Sequence, residues 1–401
     1  MNGRRGGHRL KPGYRWATVF AAAVLAVTSG LVAVEALRIA GDALERPGVD
    51  AFYEQPADAA IGDPGSLVKI DQLLGAPLAA RAWRIMYRTT DVHGDPAVAT
   101  GVLVVPLAPA PPGGRIVLSW GHPTTGAARQ CAPSYGFDPF LGIEGLRQLL
   151  DRGYAVVATD YIGMGTDGPD SYLVGVSGGN AVLDAVRAAR SVPETRAGDR
   201  VVLWGHSQGG AAVLFAAEQA PSYAPELQID AVAAAAPAAS LPNLMSAHLD
   251  DISGVTIGSY AFTAFASVYP DADLDDILTP AALEIVPRMN ELCLLSNIAE
   301  LHRIGEPLVG DFTLSDPTTT PPWSELLAEN SAGSTAFEAP LFIAQGLEDE
   351  LVVPEDTADF VQHEARLGIR VTYETIPFAT HGTVAYLALP GLMQWLDRVV
   401  G

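Results

Sequence analysis

Apolar residues fall along this chain in short continuous runs, separated by segments where they recur every three or four positions. The runs at 116–119, 155–159, 201–204 and 231–236 are four to six residues long and built mainly from Val, Ile, Leu and Ala. Runs of that length without alternation suit strands buried on both faces. Between them, 142–152, 180–190 and 211–220 carry helical spacing. The alternation returns near the C-terminus, with strands expected at 341–345 and 371–376 and helices at 355–367 and 384–400. Upstream, 81–90 and 97–106 are β-rich stretches around the turn Asp91-Val-His-Gly-Asp-Pro96. They predict an antiparallel hairpin. Alternating β and α units imply an α/β fold, with a mostly parallel central sheet covered by helices on both faces.

The alternation breaks between about 241 and 337. Helical stretches at 255–268, 280–289 and 292–304 are rich in apolar and aromatic residues there. A helical block spliced between late strands of a parallel sheet reads as a cap or lid insertion. The expected organisation is thus an N-terminal segment at 1–45 and one catalytic unit at 46–401, with 241–337 as its cap.

Composition sharpens this. With 401 residues, 49% hydrophobic and 17% charged, the chain can bury a large core. Residues 1–15 contain Arg4, Arg5, Arg9, Lys11 and Arg15 and no acid. They lead into residues 16–34, which carry no charge. That is the shape of an export signal, although its apolar run is near bilayer-spanning length. A cleaved signal and an uncleaved membrane anchor are both open, and either puts the body outside the cytoplasm. The net charge is −22 despite that basic start, which argues against nucleic acid as a partner. No obligate protein partner is implied. There are two cysteines, Cys131 and Cys293. In an exported chain one bridge between them is reasonable, and two buried thiols are the alternative. There is no CxxC and no His/Cys cluster with metal spacing, so no metal site is expected.

Gly205-His-Ser-Gln-Gly209 fits G-x-S-x-G. Chance alone supplies about 0.2 such matches in a chain of this length and glycine content. Context adds weight: an apolar strand precedes it and a helix follows. A nucleophile on so tight a turn needs small neighbours, and its hydroxyl then stands clear at the sheet edge. The N–H of Gln208 would face a developing oxyanion beside a helix N-terminus. A second match, Gly175-Val-Ser-Gly-Gly179, follows a loop rather than a sheet strand. Ser207 is therefore the expected nucleophile and Ser177 a loop or helix-entry residue.

In this architecture the acid and then the histidine follow the serine in the chain. His381 lies in the loop after the strand at 371–376, whereas His363 sits inside a helix. His381 is the expected base. The acid should end the previous strand, where Glu348, Asp349 and Glu350 stand together. Asp349 is the choice from that turn. The second oxyanion donor should come from Trp120-Gly-His-Pro-Thr-Thr-Gly126. Pro123 has no N–H, so the amide of Thr124 is favoured, with Thr125 second.

With these residues in place, the chain resembles the secretory lipase family from about Phe52 onward. The likeness is carried by Gly121-His-Pro-Thr-Thr-Gly126, Cys131-Ala-Pro-Ser134, Asp160-Tyr-Ile-Gly-Met-Gly165, Gly205-His-Ser-Gln-Gly-Gly210 and Gly346-Leu-Glu-Asp349. The resemblance implies an α/β-hydrolase fold, with nucleophile, acid and base where Ser207, Asp349 and His381 stand. Pro123 departs from the His-Gly pair common in similar proteins. The implied activity is cleavage of carboxylic esters, with acylglycerols or other lipid esters as substrate and no cofactor. The competing expectations are an acyltransferase using the same triad and a non-catalytic binding protein on this fold.

Overall fold

A computed structural model describes residues 48–136 and 138–401. The expected N-terminal export or anchor segment, 1–45, lies outside the described residues. No helix among the described residues is long and apolar enough to cross a membrane.

One nine-stranded sheet organises the chain. Its strands are β1 (Leu67–Leu73), β2 (Ala80–Thr90), β3 (Pro96–Pro106), β4 (Arg115–Gly121), β5 (Ala155–Ile162), β6 (Ala197–His206), β7 (Gln228–Ala235), β8 (Leu341–Gly346) and β9 (Val371–Ile376). The order is β1-β2-β3-β5-β4-β6-β7-β8-β9. The first three strands pair antiparallel, β3 meets β5 antiparallel, and β5 through β9 run parallel. The hairpin, five buried strands (β4 to β8) and the part-exposed edge strand β9 follow the apolar pattern. β1 does not show in the apolar pattern. Its sequence, Leu-Val-Lys-Ile-Asp-Gln-Leu, is half exposed and shows no buried run, as an edge strand allows.

Side chains alternate along each central strand. Leu118, Val202 and Trp204 face α1 (Leu146–Asp151) and α10 (Val384–Val399). Val117, Val201 and Leu203 face α2 (Gly175–Ser191), α3 (Gln208–Tyr223) and α9 (Pro354–Arg366). That period of two explains why the strands read as continuously apolar. α1 is shorter than its apolar spacing suggests because Gly145 stands just before it at φ 86°, a left-handed position that interrupts the helix. α2 begins five residues earlier than expected and takes in Ser177.

Between β7 and β8 the chain forms the helical insertion: α4 (Leu241–His248), α5 (Ile252–Val268), α6 (Pro280–Asn290), α7 (Leu294–Gly305) and α8 (Trp323–Glu329). Its own core is aromatic. Phe262 stacks on Phe312 and meets Trp323 edge-on, with ring centroids 6.1 and 5.4 Å apart. The insertion is stitched to the loop after β4 at three points. Cys131 and Cys293 form a disulfide, Leu294 N–H donates to the Thr125 carbonyl at 2.8 Å, and Gln130 donates to the Glu291 carbonyl at 2.8 Å.

Candidate active site

The C-terminal ends of the parallel strands form the crest on which the chemistry-bearing residues gather. β6 runs buried up to His206, and α3 begins at Gln208. Ser207 makes the turn between them at φ 55° and ψ −118°, a backbone region costly for any residue with a Cβ. Its amide is tied to the Ala235 carbonyl at 3.0 Å, and its carbonyl accepts from Ala211 and Ala238. Such a turn brings backbones close. A Cβ on Gly209 would lie 1.9 Å from the Gly121 carbonyl oxygen, and one on Gly205 would lie 2.1 Å from the Gly209 carbonyl oxygen. The two glycines of the pentapeptide are there because backbone occupies the space a side chain would need.

The structure brings Ser207, His381 and Asp349 together. His381, in the loop after β9, has Nε2 2.8 Å from Ser207 Oγ and Nδ1 2.8 Å from Asp349 Oδ2. Asp349 Oδ1 accepts from the amides of Leu351 and Val352 at 3.0 and 2.9 Å. Of the three acids in that turn only Asp349 is buried, while Glu348 and Glu350 are exposed. His363 is exposed on α9, where its Nε2 donates to the Gly333 carbonyl. Ser177 lies buried in the first turn of α2, and its hydroxyl has no hydrogen-bond partner among the described residues.

Gln208 directly follows the nucleophile and opens α3. Thr124, with Thr125, lines the cavity that Ser207 and His381 open into, a space of about 570 Å³. Thr124 Oγ1 is 2.7 Å from Tyr172 Oη, which anchors that loop. His122 is buried against Tyr161, with its Nδ1–H donating to the Pro123 carbonyl at 2.6 Å. Burial pushes its imidazole down to about 4, so it stays uncharged at neutral pH.

A further contact was not legible in sequence. His206, buried beside the nucleophile, has Nε2 2.9 Å from the His381 carbonyl and Nδ1 3.1 Å from Glu144 Oε1. A carbonyl only accepts, so Nε2–H donates, and His206 holds the backbone of the His381 loop. Glu144 is held in turn by Trp204 Nε1, which donates to its carbonyl at 2.9 Å. The residues Glu144, His206 and His381 are far apart in the chain, and no local spacing signals their meeting.

Strand order, elbow and helical layers define an α/β-hydrolase. The chain belongs to the secretory lipase family, whose model matches residues 142–400. It is 26% identical over 383 residues to a Mycobacterium tuberculosis protein named "Probable inactive lipase", covering 88% of this chain and 83% of that one. It is 25% identical over 395 residues to Lipase 6 of Candida albicans, covering 88% and 81%. Among solved structures it is similar to Candida antarctica lipase A in its closed state, with a TM-score of 0.73 at 19% identity, over 86% of this chain and 84% of that one.

Proposed function

We propose that this protein is an exported serine hydrolase of carboxylic esters, a lipase, working through Ser207, His381 and Asp349. The observation that carries the proposal is the position of His381, within 2.8 Å of both the serine hydroxyl and the buried carboxylate. In this reading His381 Nε2 takes the Ser207 proton as Oγ attacks the ester carbonyl, and Asp349 keeps Nδ1 protonated and steadies the imidazolium. The tetrahedral oxyanion is held by the amides of Gln208 and Thr124. His381 then returns the proton to the leaving alcohol. Water attacks the acyl-enzyme with His381 again as base, releasing the acid and free Ser207. No cofactor enters the scheme.

Membership of the secretory lipase family supports both the ester substrate and a site of action outside the cytoplasm. Residues 1–45 act in this reading as the export segment, 46–401 as the catalytic unit, and 241–337 as a cap that walls the cavity. The name of the Mycobacterium relative favours a second reading, a non-catalytic member of the fold. Labelling with a fluorophosphonate separates the two, because only an activated serine reacts. Hydrolysis of p-nitrophenyl esters by wild type, with none by Ser207→Ala, is the expected result. An unlabelled, inert wild-type protein would sink the proposal. Product analysis with an added alcohol distinguishes hydrolysis from acyl transfer.

A further inference from the structure

We infer that the acyl chain lies across the sheet face over Ala158, and that this residue with Val102 limits the chain length accepted. The inference rests on the ester-hydrolase reading above and adds the substrate class.

Strand register supplies the floor. Trp204 on β6, Trp120 on β4, Ala158 on β5 and Val102 on β3 are lateral neighbours. Laterally paired residues project from the same face of a sheet, so these four form one row leading away from the nucleophile. Three are bulky. Ala158 is the small one, and the cavity runs over it: Trp120, Ala158 and Val102 all line it, as does Ser207. Ala132, Pro133 and Ile143 line the same cavity.

The next residue in the row, Arg84 on β2, pairs with Val102 but does not line the cavity. Arg84 Nε donates to the Ser134 carbonyl at 2.9 Å, and the Ser134 amide donates to Asp160 Oδ1 at 3.0 Å. Thr100 Oγ1 adds a third tie, to Asp160 Oδ2 at 2.6 Å. This buried polar knot ties the loop at Ser134 to β2, β3 and β5 just beyond Val102. The cavity reaches solvent at its rim, where Leu295 and Leu141 line it and are 74% and 76% exposed. An apolar floor of Trp120, Ala158 and Val102 suits the acyl chain, which gains most from leaving water. The solvent-facing rim suits an alcohol that must depart first.

The row spans three strand spacings from β6 to β3, about 14 Å. An extended chain covers about 3.5 Å per three backbone atoms, so the row accommodates about a dozen chain atoms. Esters of short to medium-chain fatty acids are the substrates this fits.

The test is a p-nitrophenyl ester series from acetate through octanoate to palmitate, with fluorophosphonate labelling of every variant. Wild type should peak between butyrate and laurate and fall on palmitate. Ala158→Leu should lower the octanoate-to-acetate ratio of kcat/KM at least tenfold. Val102→Ala only removes atoms and should raise the ratio of laurate to octanoate, so it decides the matter if Ala158→Leu fails to fold. Palmitate as the best wild-type substrate overturns the inference, as do unchanged ratios in variants that still label. A wild type that neither labels nor hydrolyses any ester instead defeats the parent reading and takes this one with it.

Discussion

The chain carries the same pentapeptide pattern twice, and the two copies do opposite things. Gly205-His-Ser-Gln-Gly209 spans a strand-to-helix turn, where Ser207 sits at positive φ with its hydroxyl 2.8 Å from His381. Gly175-Val-Ser-Gly-Gly179 lies inside α2, where Ser177 is buried and its hydroxyl is unanswered. The glycines differ in purpose as well. At the elbow they let backbone approach backbone. In α2, a Cβ on Gly175 would strike the Phe215 ring at 2.2 Å, and one on Gly179 would lie 2.9 Å from the Ala216 nitrogen, so there they let α2 pack on α3. A pattern of small residues around a serine records close packing. What the serine does depends on whether a base is brought to it.

The sharpest break of that comparison is kinetic. Ser207→Ala should lower kcat by about 10⁴-fold or more. Ser177→Ala should leave esterase activity in place and cost no stability, because it removes a buried hydroxyl that has no partner to lose. Equal loss in both variants would mean that the two serines are not distinguished by their surroundings. Asp349→Asn comes next. It should keep the fold and cut kcat by about 10³- to 10⁴-fold, since an amide no longer holds His381 in the productive tautomer. Circular dichroism and an ester assay on one preparation check both halves of that statement.

Glycine substitutions separate the two kinds of packing. Gly209→Ala sets a Cβ 1.9 Å from a backbone oxygen on β4, and a sheet strand cannot move aside. A loss of about 3 kcal/mol or more is expected, with activity lost alongside. Gly175→Ala meets the far end of a phenylalanine side chain, which can turn. The cost there should be about 1–2 kcal/mol, with kcat on acetate esters kept. Urea denaturation of both variants orders them, and a larger loss at Gly175 would reverse the argument.

Much of the crest was legible because strands buried on both faces leave unmistakable apolar runs, and the loops after them then number themselves. Those loops are where Ser207, Asp349 and His381 stand. Asp349 was separable from Glu348 and Glu350 only by its place at the strand end, and burial of that residue alone agrees with the choice. The unread parts share a cause. β1 has little buried surface, α4 and α8 are short, and the Glu144–His206–His381 contact joins residues that only the finished sheet brings together. The tie of the insertion to the loop after β4 is of the same kind: the cysteines hinted at it, but the amide of Leu294 and the side chain of Gln130 gave no sign.

The smallest effect extends the comparison from serines to carboxylates. Asp349 is buried with two amides and an imidazole around it. Glu364, on α9, is buried with no partner for either oxygen among the described residues, and it faces Glu218. Burial first, and the charge of Glu218 second, push its carboxyl up from 4.5 to about 7. A carboxyl raised in the folded state binds a proton there that the unfolded chain has already released. Below about pH 4.5 both states hold the proton and nothing is lost. Between about pH 4.5 and 7 stability falls as pH rises, and above 7 the loss is complete. Glu364→Gln removes the titration and keeps the shape. Its melting temperature relative to wild type should therefore rise by a few degrees between pH 4.5 and pH 8. A difference that stays flat over that range, or runs the other way, would mean that Glu364 has found a partner and belongs with Asp349 rather than with Ser177.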